Sequence, residues 1–591
     1  MRNKDKIIKY CLYIVLITGL AICIAMLFPQ VRQMIIGLAE RMLHKKILSS
    51  QDWIKILLLD AIGGIFLIAI FGYCLLTASG KMVVHKLRME IRDSLVEIDW
   101  RSFTKPVLIM SGIYLLGIIS LIRANFFYND DIERSISGLR GFYFFSRYVS
   151  EFLSIIIHAN FRLTDISPLP QLIAILILAV SSVLLVYVLN NKKITITGLL
   201  ASIPIGLSPY MLECLSYKYD SPYMALSVLA SIVPFLFINH QRIFVFFSVI
   251  SLLIVYMTYQ AASGIYLLIL LVLCFSDWNH KRKTNYEIFL FLGRAVISFC
   301  VATILFKVFI MRPFNATYAS NTMLPFPQML FSILDNFQTY VHTINSDFSF
   351  IWKALIGIIF CFFIAKSVCK SARNKIISFL AASFLICMLL FLSFGAYIVL
   401  EHPLFEPRSF YGFGVLLAIS SIFVVYEFNN IARIFAIALS WSFLVFALSY
   451  GNALADQKRY ADFRIGILLH DLSALYPEKD KEENKITIQL KNRIGFTPSI
   501  RNIAIHDPII YKLVPQLLPE DRPWFSYIYD LEYFNYSTFS IANVPWKWNI
   551  KTGEPYVDFS ALNLPVVLKT YYHTIRSDGK RVLIELNDNY Q

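Results

Sequence analysis

The sequence predicts a polytopic α-helical membrane protein, a bundle of about thirteen transmembrane helices followed by a C-terminal soluble α/β domain. Three observations lead there. Hydrophobic residues make up 57% of the 591 residues and charged ones 16%, with a mean hydropathy of +0.61, a balance far too apolar for a soluble chain. Apolar runs long enough to cross a bilayer recur from Ile7 to Tyr450. From Gly451 onward the runs stop, and tryptophans, prolines and period-two alternation take over.

In chain order, spans are expected near 7–28, 53–79, 106–123, 170–190, 194–208, 222–238, 243–259, 262–276, 286–310, 349–367, 376–400, 411–427 and 431–450. The first follows Arg2, Lys4 and Lys6, exceeds a signal-peptide core and lacks a small-residue cleavage site, so it reads as an uncleaved span. The short runs at 194–208 and 262–276 need bundle neighbours to cover their ends. A cytoplasmic N-terminus places Lys81 to Lys105, Lys192-Lys193, Arg242, Lys281-Arg282-Lys283, Lys366 to Lys375 and Arg433 on the inner side, as the positive-inside rule asks. An odd number of spans then sends the C-terminal domain outside. The division expected is residues 1–105 as an N-terminal membrane region, 106–450 as the transmembrane core with an outer loop at 123–170, and 451–591 as the outer domain. In that domain Lys485 to Leu490 alternates like a strand, and Thr574 to Ile584 reads as a hairpin around Asp578-Gly579.

Topology accounts for much of the net charge of +15, because the basic residues are scattered between apolar runs; no nucleic-acid patch forms. The nine cysteines lie mostly inside apolar runs and none follows Cys387, which argues against a disulfide framework. No His/Cys cluster has the spacing of a zinc site. GxGxxG, Walker-type, HExxH and GxSxG signatures are missing, as is a cytoplasmic domain able to hold a nucleotide sugar.

Chemistry concentrates in the loop from Arg123 to Pro170. Asn129-Asp130-Asp131 places two adjacent carboxylates at the mouth of the bundle, where desolvation penalises them unless their charge is used. Group transfer from a lipid phosphate needs a carboxylate to take the acceptor's proton and cations to hold the leaving phosphate. Asp130 or Asp131 supplies the first; Arg134, Arg140, Arg147, Lys218 and Arg408 are candidates for the second, arginine being favoured because its planar fork binds two phosphate oxygens. Arg140 and Arg147, seven apart, are expected on one face of a surface helix. Glu213, Tyr217, Asp220 and Glu401 lie among aromatics suited to sugar stacking and hydroxyl recognition. An acidic pair at a helix exit also serves as an ordinary N-cap, and outer arginines also reach lipid headgroups. Two adjacent carboxylates are too few oxygens to specify Mg²⁺ or Mn²⁺, so no metal or cofactor is assigned and a divalent cation is left open. The long stretch from Arg312 to Asp347 has the length of a lid.

The run Tyr128-Asn129-Asp130-Asp131-Ile132-Glu133-Arg134-Ser135-Ile136-Ser137-Gly138, with Ser146-Arg147 and Pro168-Leu169-Pro170, resembles the first large outer loop of the bacterial serotype-converting O-antigen glucosyltransferases, the glucosyltransferase II family. Ser208-Pro209-Tyr210, Ser216 to Ser221, Tyr259-Gln260-Ala261 and Pro407-Arg408 with Gly412-Phe413-Gly414 look like later landmarks, and the likeness runs from about 105 to 590. It implies a GT-C architecture in the inner membrane and transfer of glucose from undecaprenyl-phosphate glucose to the lipopolysaccharide O-antigen in the periplasm. It also implies a catalytic base in the acidic pair, and a companion flippase and donor synthase fit as partners. Two rival readings stay open. A transporter or flippase of lipid-linked saccharides needs charged or broken helices near the midplane, for which Lys307 and Arg294 are the nearest candidates. An O-antigen polymerase or ligase works on the same class of outer-face substrates.

Overall fold

Long apolar helices follow from apolar runs with no internal polar face, and their ends follow from capping chemistry. The computed structural model describes residues 77–96, 99–311, 328–426, 428, 430–476, 487–518, 530–531, 533–534, 546–548, 555–557 and 563–587. Among the described residues eight helices are long and apolar enough to cross a membrane: Arg101–Ala124, Leu169–Leu189, Gln241–Thr258, Gln260–Asn279, Asn285–Ile310, Phe350–Cys369, Lys375–Leu392 and Asn430–Leu475. The chain is a multi-pass membrane protein. Of the thirteen expected spans, 7–28 and nearly all of 53–79 lie outside the described residues; the other eleven coincide with helices, though 222–238 and 411–427 correspond to the shorter Ser221–Phe237 and Tyr411–Val425.

The expected span at 194–208 belongs to a broken pair, Ile196–Leu207 and Pro209–Ser216, bent by 56°. Pro209 donates no amide hydrogen, and it holds Ser208 in the extended region (φ −60°, ψ 146°), so the helix cannot continue through that point. Elsewhere caps set the starts: Thr284 and Glu287 form a reciprocal capping box, and Ser349 and Asn374 accept backbone N–H groups. Asn285–Leu305 buries only Phe291, Ala295, Ser298 and Ala302, while Ile297 and Ile304 are more than half exposed, as a bundle helix with a lipid-facing back should be.

The helices alternate between two ends. One end gathers Asn191 with Arg282, Asn285 with Arg373, and Lys366 with the carbonyls of Phe423 and Tyr426. The opposite end gathers 125–168, 208–221, 395–410 and the segment 498–514. Tyr411–Val425 is buried along its whole length and forms the centre of the bundle. Where Asn430–Leu475 crosses Arg101–Ala124, Gly451 permits the contact, since a Cβ there would collide with the Leu121 amide and Ser120.

That 46-residue helix passes beyond the bundle without a break at 451, so the last span and the first element of the C-terminal unit are one piece. Its distal half presents Ala461, Ile465, Leu468 and Leu472 to a sheet. The sheet consists of β1 (Thr487–Lys491), β4 (Val566–Lys569), β5 (His573–Ser577) and β6 (Arg581–Leu586), in the order β1-β6-β5-β4, with β1 parallel to β6 and the remaining pairs antiparallel. The expected hairpin is β5–β6, turning at Gly579 with φ +93°. Separately, β2 (Trp546–Trp548) pairs with β3 (Pro555–Val557). Of the expected lid, 312–327 lies outside the described residues and the remainder is the helix Gln328–Asp347.

Gly451→Leu should push the two crossing helices apart. The expected cost is about 1–3 kcal/mol of overpacking, read as a lower thermal-unfolding midpoint of the detergent-solubilised protein, with Gly466→Ala, which meets open space in the same helix, as the control that holds or raises the midpoint.

Candidate functional site

Helix Arg101–Ala124 ends in a left-handed Asn125, and the chain turns through Phe126, Phe127 and Tyr128 into the short helix Asp131–Ser137. The turn separates the two adjacent acids. Asp130 is exposed and its carboxylate makes no hydrogen bond or ion pair among the described residues. Asp131 is 1% exposed, and its Oδ2 accepts the backbone N–H groups of Tyr128 and Lys218, both at 3.0 Å. Its Oδ1 has no partner among the described residues. Burial raises its pKa to about 8, against the lowering effect of the two backbone donors.

The expected cations are distributed unequally. Arg134 is buried, ion-paired with Asp220 and stacked over the Phe142 ring, so its charge is spent inside the protein. Lys218, also buried, donates Nζ to Asn125 and to Asp165 at 3.0 Å, and lies 3.9 Å from the Phe127 ring centroid. Burial works against the Asp165 carboxylate, yet its hydrogen bonds from Ser167 and Lys218 hold its pKa below the usual range. Arg140 is paired with Glu151 at 2.8 Å.

Two arginines face a different cluster. Arg408 donates to Glu213 Oε1 at 2.9 Å and to the Tyr217 hydroxyl at 2.8 Å, while its backbone N–H also meets Glu213. The same hydroxyl accepts from Asn129 Nδ2 at 2.9 Å. A hydrogen-bonded chain therefore runs from Glu213 through Arg408 and Tyr217 to the residue before Asp130. Arg147 lies between the rings of Phe145 and Tyr259, at 5.1 and 4.5 Å from their centroids, and has no carboxylate partner among the described residues. Its Nε is buried without a hydrogen bond there. Glu401 lies in the loop ahead of Arg408, 3.8 Å from His402.

Asp130, Asp131, Arg134, Lys218 and Asp220 thus meet in one group, and Arg147, Arg408, Glu213 and Tyr217 in a neighbouring one. Arg140 and Arg147 do not share a helix face. Gly138, Gly141 and Ser146 all take positive φ, which splits the stretch into a 3₁₀ turn at Phe142–Phe145 and a helix at Tyr148–His158. Sequence reasoning did not single out Asp165, nor the segment 498–514. The carbonyl of Leu513 accepts from Tyr128 and Tyr450, and Lys512 pairs with Asp347, whose pKa burial raises. Nothing in the local sequence marks a backbone carbonyl as a partner for two distant tyrosines. Among the described residues no trio of His, Cys, Asp or Glu side chains converges as a metal site.

A family model described as glucosyl transferase GtrII matches residues 119–419, just over half of the chain. The chain belongs to the GtrII glucosyl transferase family. An uncharacterised 55.3 kDa protein encoded in the region 5′ of gtrB in Salmonella phage P22 is 25% identical over 430 residues, covering 70% of this chain and 87% of that protein. No solved structure is matched. The GtrII match begins six residues before Asn125 and ends beyond Arg408, so both clusters fall inside it, and this GtrII protein is a glycosyltransferase. The long helix Asn430–Leu475 and the C-terminal sheet lie outside the matched region.

The raised pKa of Asp131 carries a sign. A carboxyl whose folded pKa lies above its unfolded value contributes stability that is complete below about pH 4 and lost as pH rises through about 8. Asp131→Asn should remove that slope and keep the protein folded, because an amide oxygen accepts the same two N–H groups. Thermal unfolding of wild type and variant between pH 5 and 9 checks it; parallel curves would show that Asp131 does not titrate in this range.

Proposed function

We propose that this GtrII protein transfers glucose from a polyprenyl-phosphate donor to an O-antigen hydroxyl at the bundle end that carries the acidic loop, the outer, periplasmic face of the inner membrane. The observation that supports this reading best is the chain Glu213–Arg408–Tyr217–Asn129, which brings a phosphate-type cation to within one residue of an exposed carboxylate. Arg147 adds a second cation with an aromatic sleeve and, among the described residues, no carboxylate to neutralise it.

In this reading Asp130 is the base and Asp131 a positioning residue. An acceptor hydroxyl gives its proton to the Asp130 carboxylate as its oxygen attacks C1 of the sugar. The C1–O bond to phosphate breaks on the opposite face, which inverts the anomeric centre, and the polyprenyl phosphate leaves with its new negative charge held by Arg147 and Arg408. Accessibility separates the two acids: Asp131 is walled in and already accepts two N–H groups, whereas Asp130 is open to solvent. The broken pair at Ser208-Pro209 is the feature a lipid-sugar transporter would also use.

Asp130→Asn should lower transfer to O-antigen by about 10²- to 10⁴-fold with normal membrane insertion, and Asp131→Asn by far less. Mass and linkage analysis of the O-antigen in cells carrying each variant measures this. Full transfer by Asp130→Asn would remove it as base, and lipid-sugar translocation without transfer in wild type would favour the transporter. Arg147→Ala should raise the KM for the lipid donor by about tenfold or more, the loss of one charge-assisted contact, in an assay with purified donor.

A further inference from the structure

A cavity of about 220 Å³ opens beside Lys218, between the end of Arg101–Ala124, the start of Leu169–Leu189 and the middle of Asn430–Leu475. Leu121, Phe126 and Leu454 form an apolar wall; Lys218, Ser167 and Gln171 form a polar one. Gln171 is 3% exposed, and its Oε1 has no hydrogen-bond partner among the described residues, whereas the Ser167 side chain is engaged by Asp165. Buried polar atoms in native proteins are normally satisfied, so this orphaned acceptor on a residue of the cavity wall points to a ligand that donates a hydrogen bond, as a hydroxyl does.

Resting on the transfer reaction above, we infer that this cavity is a subsite for one neutral pyranose ring of the acceptor glycan. Size limits the occupant: sites for drug-sized ligands run about 300–1,000 Å³, so a single ring fits this cavity better than an oligosaccharide. Charge limits it too. Its one cation, Lys218, is already paired with Asp165 at 3.0 Å, which leaves nothing to hold a phosphate. An apolar wall facing an amide and a hydroxyl matches a pyranose, with an apolar ring face and a rim of hydroxyls.

Position selects acceptor over donor. Ser216 and Lys218 line the cavity, while Tyr217 between them turns the other way to Arg408 and Asn129. The cavity and the phosphate-type cations therefore lie on opposite sides of the segment 216–218, where the helix Pro209–Ser216 gives way to an extended Tyr217. Asp131 is bonded to the backbone of that same segment at Lys218, which places Asp130 at the boundary between them. That is the arrangement a base needs if it takes a proton from a ring on one side and drives attack on a phosphate-linked sugar on the other.

The test uses the full-length protein in lipid nanodiscs, the purified lipid donor and deacylated O-polysaccharide as the acceptor probe. Gln171→Leu should raise the acceptor KM by about tenfold, the worth of one buried hydrogen bond, with the donor KM unchanged. Leu454→Phe, which fills the cavity and leaves its polar wall intact, should do the same, and thermal unfolding of both variants confirms that each is folded. A rise in donor KM alone would assign the cavity to the donor sugar and overturn the inference, as would an unchanged acceptor KM in both variants. Direct binding of the O-polysaccharide separates this idea from the reaction: wild type that binds but never transfers, with binding lost in both variants, refutes the proposed chemistry and upholds the subsite.

Discussion

The site depends on one carboxylate oxygen. Asp131 Oδ2 accepts N–H groups from Tyr128 and Lys218, residues separated by a surface loop, the long helix Leu169–Leu189 and the broken pair, and so ties the acidic loop to the segment 216–218. Two further contacts make the junction hard to open. Arg134 from the acidic loop meets Asp220 from the far side of the same segment, and Lys218 reaches back to Asn125 and Asp165. Breaking one partner of a buried pair costs about 3–5 kcal/mol, because the other charge is left without compensation. The acids and bases that a sequence reading offers as ligands for substrate are in large part the bolts that hold the loop in place.

Charge bookkeeping explains why only some of them are available. Around Asp131 sit two cations, Arg134 and Lys218, and two other carboxylates, Asp220 and Asp165, which already neutralise each other in pairs. A further buried negative charge beside Asp220 would have no counterion, and burial accordingly raises the Asp131 pKa to about 8. Exposed Asp130 escapes that constraint. On the neighbouring face the balance is reversed, with Arg408 sharing Glu213 and Arg147 held only by aromatic rings among the described residues.

Much of the fold was legible because membrane helices announce themselves by composition. The runs at 170–190 and 243–259 each correspond to a helix of the expected kind, and 376–400 to one that ends at Leu392, since an unbroken apolar run in lipid satisfies its own backbone only as a helix. The break at Ser208-Pro209 was less visible: hydropathy averages over it, whereas the proline's missing donor acts at one residue. The hairpin at Asp578-Gly579 was readable from turn chemistry, but the parallel pairing of β1 with β6 was not, being set by contacts about a hundred residues apart. The site divides in the same way. Residue types and the acidic motif singled out Asp130, Asp131, Arg147 and Arg408 as candidates, and the fold brings the first two together and the last two together. Which cations are internally paired depends on partners such as Asp165 and Asp220, which no local pattern connects to them.

The C-terminal unit is joined to this site mechanically. Helix Asn430–Leu475 carries Tyr450 inside the bundle and Ala461 to Leu472 against the sheet, so the two cores share one rigid rod. From the sheet side, the segment 498–514 returns to the bundle and packs its Ile500, Ile510 and Leu513 into the main core. Its Leu513 carbonyl accepts both Tyr128 and Tyr450, and Tyr128 also gives its backbone N–H to Asp131. A displacement of the C-terminal unit would therefore pull on Tyr128 and, through Tyr128, on the loop that presents Asp130. A short segment that satisfies one carbonyl with two hydroxyls from different helices fixes position far better than either contact alone, because both must break for the loop to move.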